Sequence, residues 1–315
     1  MTAPEPMDRI ARVRAALATE AVDRLPFTVW YHFGLQHLPP ERVAEAHVEF
    51  ADAYDLDWLK VMNDYGYPMP DGLEVATQAS DLRRLTPVDV TRGPLGQQLA
   101  LIAHLAPRLR GRMFFVDTIF DAWSSLRRSV VKDAMDRLMH EEPAALERAL
   151  AVVNENLVAY AEATLQRGAA GIFLSVPAGA DAVTPEQFDR FVRPFAHALL
   201  ERIAAAGGAT ILHAHGSRLH FQRILDLPAQ ALSWADRAAG PTLAEARRMT
   251  DRPLIGGIDH ARFNQMSRIE VRAQVRQAVE QTGPRGLLLA GGCSIPPNAY
   301  ADLIQAARAA ARGAS

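Results

Sequence analysis

The chain has 315 residues, of which 49% are hydrophobic and 22% charged, and its formal net charge is −2 at pH 7. These values are ordinary for a soluble globular protein, and the charge argues against nucleic acid or an anionic membrane as the main partner. A single cysteine excludes an internal disulfide, so we expect a cytoplasmic protein. The first residues lack the layout of a signal peptide, and no apolar run approaches the ~20 residues that span a bilayer.

Eight short apolar runs alternate along the chain with segments of helical periodicity. The predicted strands are Phe27–Phe33, Asp57–Met62, Met113–Ile119, Gly171–Val176, Thr210–His215, Ala231–Ala235, Pro253–Ile258 and Gly286–Gly292. The predicted helices are Glu41–Tyr54, Leu95–Leu109, Ala122–His140, Ala144–Arg167, Pro185–Ala206, Leu243–Met249, Arg268–Gln281 and Asn298–Arg312, with a short one near Ser217–Leu225. This alternation predicts an α/β fold of the (β/α)8 TIM-barrel class.

A doubly wound open sheet has the same alternation of strands and helices and is the structural alternative. No Gly-x-Gly-x-x-Gly or P-loop pattern follows a predicted strand, so the usual nucleotide-binding reason for that fold is missing. No linker, repeat or charge block divides the sequence, and we therefore expect a single domain over residues 1–315. The sequence leaves the oligomeric state open.

Three potential metal ligands follow predicted strands. His213 and His215 end the fifth predicted strand on the same face, because side chains alternate along a strand with period two. Cys293 comes just after the eighth predicted strand. Active sites of β/α barrels lie at the carboxyl-terminal ends of the strands, so these residues are predicted to meet there. Two imidazoles and one thiolate would form a three-ligand zinc site with an open fourth position.

Four carboxylates lie near the ends of predicted strands. Asp259 follows the seventh predicted strand and either forms a turn or faces the site. Asp64 lies in the loop after the second predicted strand and either meets the substrate or bonds its own backbone. Asp117 and Asp121 flank Thr118-Ile-Phe, and Asp121 is predicted to cap the following helix. We take Asp64 and Asp259 as the candidate catalytic or substrate-positioning residues.

Four motifs occur in order between about Asp8 and Ala311. They are Val22-Asp-Arg-Leu-Pro26, Thr184-Pro-Glu-Gln-Phe-Asp-Arg-Phe-Val-Arg-Pro-Phe195, Gly256-Gly-Ile-Asp-His260 and Gly291-Gly-Cys-Ser-Ile-Pro-Pro297. Their order and spacing resemble the uroporphyrinogen decarboxylase superfamily, which includes true decarboxylases and zinc-dependent cobamide:thiol methyltransferases. In that family Asp64 corresponds loosely to a catalytic aspartate of the decarboxylases.

The resemblance points more to the methyltransferase branch. True decarboxylases carry an arginine-rich segment after the first strand, whereas the corresponding stretch Val29–His37 contains no arginine. The methyltransferases hold zinc through a His-x-Cys pair and a later Cys. His213 and Cys293 match that pattern, and His215 replaces the first Cys of the family. Imidazole is also a common zinc ligand.

The resemblance therefore implies a zinc-dependent methyltransferase. Zinc would activate a thiol or a similar small-molecule nucleophile, and the methyl group would come from a methylcobamide carried by a separate corrinoid protein. Asp64 and Asp259 would position the substrate or tune the metal. One alternative is a metal-free carboxy-lyase that acts on a tetrapyrrole or smaller carboxylic acid, with Asp64 stabilising its intermediate. Another is a non-catalytic carrier of a corrinoid or porphyrin.

Overall fold

A computed structural model describes residues 5–314 of the chain, and the seven strands in that part form one parallel sheet. Strands that follow one another in sequence are neighbours in the sheet throughout. The strands are β1 (Trp58–Val61), β2 (Phe114–Phe120), β3 (Gly171–Pro177), β4 (Ala209–His215), β5 (Ala231–Trp234), β6 (Leu254–Ile258) and β7 (Leu287–Gly291). The predicted α/β class is confirmed, while the predicted domain bounds include residues 1–4 and 315, which lie outside the described residues.

Helices connect the strands, as a parallel sheet requires. They are α1 (Arg9–Leu17), α2 (Pro40–Ala53), α3 (Ala79–Leu82), α4 (Gly93–Leu109), α5 (Ala122–Ser125), α6 (Met135–Glu141), α7 (Pro143–Gln166), α8 (Pro185–Phe191), α9 (Arg193–Ala205), α10 (Phe221–Leu225), α11 (Leu243–Met249), α12 (Arg268–Thr282) and α13 (Ala301–Arg312). Within residues 5–314, no helix has both the length and the apolar character needed to cross a membrane.

The predicted first strand, Phe27–Phe33, is wrong, and the count of eight strands becomes seven. Only Phe27 makes a parallel bridge, to Leu289 of β7. On the other side the Phe27 carbonyl accepts a hydrogen bond of 2.9 Å from the Asp57 backbone N–H, next to β1. This short segment thus joins the first strand of the sheet to the last. The later aromatic residues leave the sheet, because Tyr31 and Phe33 pack on a helix through Phe50 of α2.

Two predicted helices are interrupted. The helix predicted over Ala122–His140 divides into α5, a π-helical turn at Leu126–Val131, a 3-10 turn at Lys132–Ala134, and α6. The helix predicted over Pro185–Ala206 divides into α8 and α9 at Val192. The second break has a simple cause, since Pro194 lacks the N–H for a continuous helix and restricts the residue before it.

The inward-facing side chains change from apolar to polar along the strands. At the amino-terminal end of the barrel, Trp58, Phe114 and Leu288 pack together with Leu17 of α1, which covers this end. Further along, the same alternation brings polar side chains inward, such as His213 in register with Ser233 of β5. The apolar layer closes one end, so polar chemistry is concentrated at the carboxyl-terminal end.

Candidate metal centre

The three predicted ligands come together at the carboxyl-terminal end of the strands. One ring nitrogen each from His213 and His215 and the Sγ atom of Cys293 all lie within 4.8 Å of one another. Tetrahedral zinc with bonds of about 2.0–2.3 Å holds its ligand atoms about 3.5 Å apart, so small side-chain adjustments would close this arrangement around an ion. The residue types and their spacing therefore fit a zinc ion with three protein ligands.

Two glycines place Cys293 beside the histidines. The Gly292 backbone passes so close to β5 that an added Cβ would lie 2.7 Å from the Cα of Ala235 and 2.9 Å from the carbonyl oxygen of Trp234. A Cβ on Gly291 would lie 2.8 Å from the Cys293 carbonyl oxygen. Only glycine fits such close backbone approaches, which explains the Gly-Gly-Cys order at the end of β7.

His213 is fixed by its neighbours. Its side chain is almost fully buried, its Nδ1 lies 3.2 Å from the Ser233 Oγ, and its ring stacks on Phe173 with centroids 5.3 Å apart. Because Nδ1 is engaged by the hydroxyl, Nε2 is the nitrogen left to bind a metal. Such a partner on the second ring nitrogen is typical of metal-binding histidines.

The electrostatics favour a thiolate at Cys293. Burial alone would raise the pKa of this thiol, but hydrogen bonds with His213 and His215 and their charges lower it to about 4. Burial lowers the pKa of His213, whereas the hydrogen bond with Cys293 raises that of His215. The thiolate is the form of cysteine that binds metals, so at neutral pH the site presents the required ligand.

The three residues open into a cavity of about 240 Å³. This is smaller than the ~300–1,000 Å³ of typical small-molecule pockets, so it suits a small substrate. Its lining includes three cationic side chains and, among the described residues, no aspartate or glutamate. The lining residues are Trp30, His32, Lys60, Met62, Thr118, Phe120, Trp123, Ser124, Arg127, Arg128, Phe173, Ser175, Pro177, Ala182, His213, His215, Cys293 and Ser294.

Lys60 projects from β1 into the interior of the barrel and also lines this cavity. Its Nζ donates a hydrogen bond of 2.8 Å to the Met62 Sδ and lies 5.2 and 4.7 Å from the ring centroids of Trp30 and Phe173. Burial lowers the pKa of Lys60 to about 7, against the opposing charges of Cys293 and Asp117. A buried lysine thus lies among aromatic rings in the same cavity as the candidate ligands.

Asp64 lies behind the cavity wall. Its Oδ1 is 2.5 Å from the Nδ1 of His32, and its Oδ2 accepts a weak hydrogen bond of 3.4 Å from the Gly34 N–H. Burial raises the pKa of this carboxyl, but the bond with His32 outweighs it and the pKa is lowered overall. His32 lines the cavity and Asp64 does not. The catalytic role of Asp64 stays a prediction, and from this position it would act through His32.

Asp259 lies in the turn after β6. Its Oδ1 accepts hydrogen bonds of 3.1 Å from the backbone N–H groups of both Ala261 and Arg262. Its own N–H donates to the Gln274 Oε1 at 2.9 Å. Asp259 does not line the cavity. Asp259 thus forms the turn after β6, which was one of its two predicted roles. A catalytic role for Asp259 stays a prediction.

The two aspartates of β2 and its end have structural partners. Asp121 accepts hydrogen bonds from the N–H groups of Trp123 and Ser124, which confirms it as the helix cap of α5. Asp117 accepts hydrogen bonds from the Gln98 Nε2 at 2.8 Å and the Tyr160 hydroxyl at 2.5 Å. Capping by Asp121 sets the start of the helix that carries two cavity-lining residues.

Sequence reasoning missed several residues of this cavity. Lys60 was visible as a lone cation within the apolar run of a predicted strand, which is an unusual place for a lysine. Ser233 could not be found, because its contact with His213 depends on the register between β4 and β5. Arg127 and Arg128 reach the cavity from the π-helical turn, and π-helical turns frequently occur at functional sites.

The fold and site together define an α/β barrel with a His2Cys cluster at the carboxyl-terminal end of its strands. The profile of the uroporphyrinogen decarboxylase (URO-D) family matches residues 8–313, and the chain belongs to this family. The resemblance predicted from the sequence motifs is thereby confirmed. None of the curated proteins compared matches the chain significantly.

Solved proteins of low sequence identity share the fold. A methyltransferase from Methanosarcina mazei superposes with a TM-score of 0.83 at 18% identity, and the match covers 98% of each chain. A B12-independent methionine synthase from Shewanella sp. W3-18-1 gives 0.63 at 12% identity over 92% of each chain. A putative vitamin-B12-independent methionine synthase from Listeria monocytogenes gives 0.59 at 12% identity over 86% of each chain. At these identities the likeness establishes the fold only.

Proposed function

We propose that the protein is a zinc-dependent methyltransferase that transfers a methyl group from a methyl-corrinoid protein to the sulfur of a small thiol. The observation that carries this proposal is the convergence of His213, His215 and Cys293 within one small cavity. In the reaction the carbon–cobalt bond breaks with both electrons left on cobalt, and a sulfur lone pair forms the new carbon–sulfur bond. The thiol proton passes to solvent.

Zinc fits the site by ligand type and by geometry. Two imidazoles and a thiolate are common zinc ligands, and three protein ligands leave one position open for a substrate. When bound, zinc would supply Lewis acidity and lower the pKa of a thiol at that position. The Ser233 hydroxyl would keep the His213 ring oriented for binding.

The rest of the cavity would hold the acceptor and exclude water. Trp30 and Phe173 form an apolar wall, with ring centroids 5.4 Å apart in an edge-to-face arrangement. An excluded-water environment strengthens electrostatic interactions with the bound thiol. The side chains of the chain thus orient a small nucleophile beside the metal position.

The size of the cavity supports a donor that stays outside it. A volume of about 240 Å³ suits a small acceptor and not a corrin ring. The methyl-corrinoid would therefore approach from the mouth, bound to its own protein. The half-exposed Arg127 and the exposed Arg128 lie at this mouth, where they could contact such a partner.

The structural comparisons support the proposal at the level of class. The Methanosarcina protein is called a methyltransferase. The other two are called B12-independent methionine synthases, so their names do not support a corrinoid donor. A lyase that acts on a tetrapyrrole has less support, because Asp64 does not line the cavity and a tetrapyrrole exceeds its volume. The same size argument applies to a carrier that would enclose a corrinoid or porphyrin.

The test is a methyl-transfer assay with zinc-loaded protein and free methylcobalamin as the donor. The acceptors are 3-mercaptopropionate, homocysteine and 2-mercaptoethanol. We expect loss of methylcobalamin absorbance and a methyl thioether by mass spectrometry, both of which require zinc. Replacing His215 with Ala should abolish turnover, whereas His197→Ala, at a half-exposed position of α9, should not. Formation of coproporphyrinogen from uroporphyrinogen, without methyl transfer, would instead establish the lyase.

We further propose that Asp64 is a positioning residue that acts through His32. Losing one charge-assisted hydrogen bond costs about 1.5–3 kcal/mol, so Asp64→Asn should lower kcat/KM by about 10- to 100-fold with unchanged zinc content. Asp71→Asn, in an exposed loop, is the matched control. If the two residues act as one unit, His32→Ala combined with Asp64→Asn should be no slower than His32→Ala alone. Additive losses would show that Asp64 does not act through His32.

A further inference from the structure

Lys60 is a buried lysine that forms no ion pair with an aspartate or glutamate among residues 5–314. The residue is only 4% exposed, yet its ammonium group carries three donors. Among residues 5–314, the one hydrogen bond from Nζ goes to the Met62 thioether sulfur, which is a weak acceptor. Buried ammonium groups are normally paired with carboxylates, because an unpaired buried charge is costly. Two strong donors therefore remain for a group inside the cavity.

The environment of Lys60 would strengthen its electrostatic interaction with an anion. The rings of Trp30 and Phe173 lie 5.2 and 4.7 Å from Nζ and keep water away from it. The cavity lining contains no aspartate or glutamate among the described residues, and its one thiolate, Cys293, forms no hydrogen bond with the Lys60 Nζ. A single ammonium matches a single negative charge, and the small volume limits the rest of the ligand to a few carbon atoms.

We propose that Lys60 is a specificity-determining residue that binds the carboxylate of a small acid, placing the rest of that molecule toward His213, His215 and Cys293. The identification of this acid as a thiol methyl acceptor rests on the proposed function, whereas the carboxylate site itself does not. The preferred acceptor is then a short mercapto acid and not a neutral thiol.

The low lysine content of the chain gives a direct test. Lys60 and Lys132 are the only lysines, so zinc-loaded protein labelled with ε-13C lysine yields two side-chain NMR signals. Propionate and propionamide have nearly the same shape and differ in charge. We expect a saturable shift of the Lys60 signal with propionate and little shift with propionamide. The signal of Lys132, which is exposed, should stay unchanged with both probes.

A variant pair provides the second measurement. Lys60→Met keeps the length of the side chain and removes its charge, and it should weaken propionate binding at least about tenfold. The fluorescence of Trp30 and its neighbours would measure this binding. Lys132→Met should bind propionate like the unchanged protein. Equal shifts with both probes, or unchanged propionate affinity in Lys60→Met, would overturn the inference. The NMR titration uses the unsubstituted protein, so the inference remains testable if Lys60→Met does not fold.

The outcomes separate this inference from the proposed function. A Lys60 shift in a protein that transfers no methyl group would refute the methyltransferase and keep the carboxylate site. Methyl transfer without a shift of the Lys60 signal would support the methyltransferase and refute the carboxylate site. In an active enzyme, Lys60→Met should raise KM for 3-mercaptopropionate at least about tenfold more than it raises KM for 2-mercaptoethanol.

Discussion

Replacing Cys293 with Ala should remove zinc from the protein and abolish methyl transfer. Cys293 supplies the only thiolate of the site, and its Sγ lies within 4.8 Å of both histidine nitrogens. Two imidazoles alone leave zinc with too few protein ligands, so zinc content should fall from about one equivalent to near zero. Because the metal would supply several kcal/mol of transition-state stabilisation, the rate should drop about a thousandfold or more.

Elemental analysis by plasma mass spectrometry, on protein purified without a histidine tag, measures the metal content. The fold of Cys293→Ala should be preserved, since the side chain lies at the edge of the barrel and is only partly buried. Near-ultraviolet circular dichroism checks this. The variant His197→Ala, at a half-exposed position of α9, should retain both zinc and turnover. Full zinc occupancy in Cys293→Ala would show that the sulfur is not a ligand.

Replacing Asp57 with Ala should destabilise the protein by about 3–5 kcal/mol, because it leaves the partly buried Arg24 without its carboxylate partner and the buried Arg12 with only Asp23. The Asp57 side chain is fully buried and accepts hydrogen bonds of 2.8 Å from Arg12 and of 2.6 and 2.8 Å from Arg24. It also accepts the N–H of Phe27 at 3.0 Å, in the segment that joins β7 to β1. The substitution therefore weakens both an ion-pair network and the closure of the sheet.

Urea unfolding measures this loss, with Asp52→Ala as the matched control. Asp52 forms an ion pair of 3.0 Å with Arg112, but the two side chains are 45% and 51% exposed. An exposed pair of this kind is worth less than about 1 kcal/mol. Similar losses of unfolding free energy in both variants would contradict the assigned importance of burial.

Most of the sheet could be predicted because its strands are buried on both faces. Such strands read as continuous apolar runs, and β4, predicted over Thr210–His215, begins one residue earlier in the structure. The failure at Phe27–Phe33 has a physical cause. Aromatic residues favour strands because they pack well, and Tyr31 and Phe33 achieve that packing on α2 without a strand partner. Local sequence does not distinguish these two outcomes.

The cluster of His213, His215 and Cys293 was more predictable than the cavity around it. His213 and His215 share a face by period two, and the barrel class alone brings Cys293 to the same end. The carboxylates were harder, since the loop conformations that turn Asp259 toward its own backbone and Asp64 toward His32 depend on tertiary contacts. Lys60 was overlooked because its significance lies in its burial and its lack of a partner, which only the folded structure reveals.

X-ray absorption at the zinc edge tests the central claim most directly. The protein would be purified without a tag and loaded with one equivalent of zinc. A site made by His213, His215 and Cys293 should show one sulfur at about 2.3 Å and two imidazole nitrogens at about 2.0–2.1 Å. A zinc shell with no sulfur, or a protein that binds no zinc, would contradict the account.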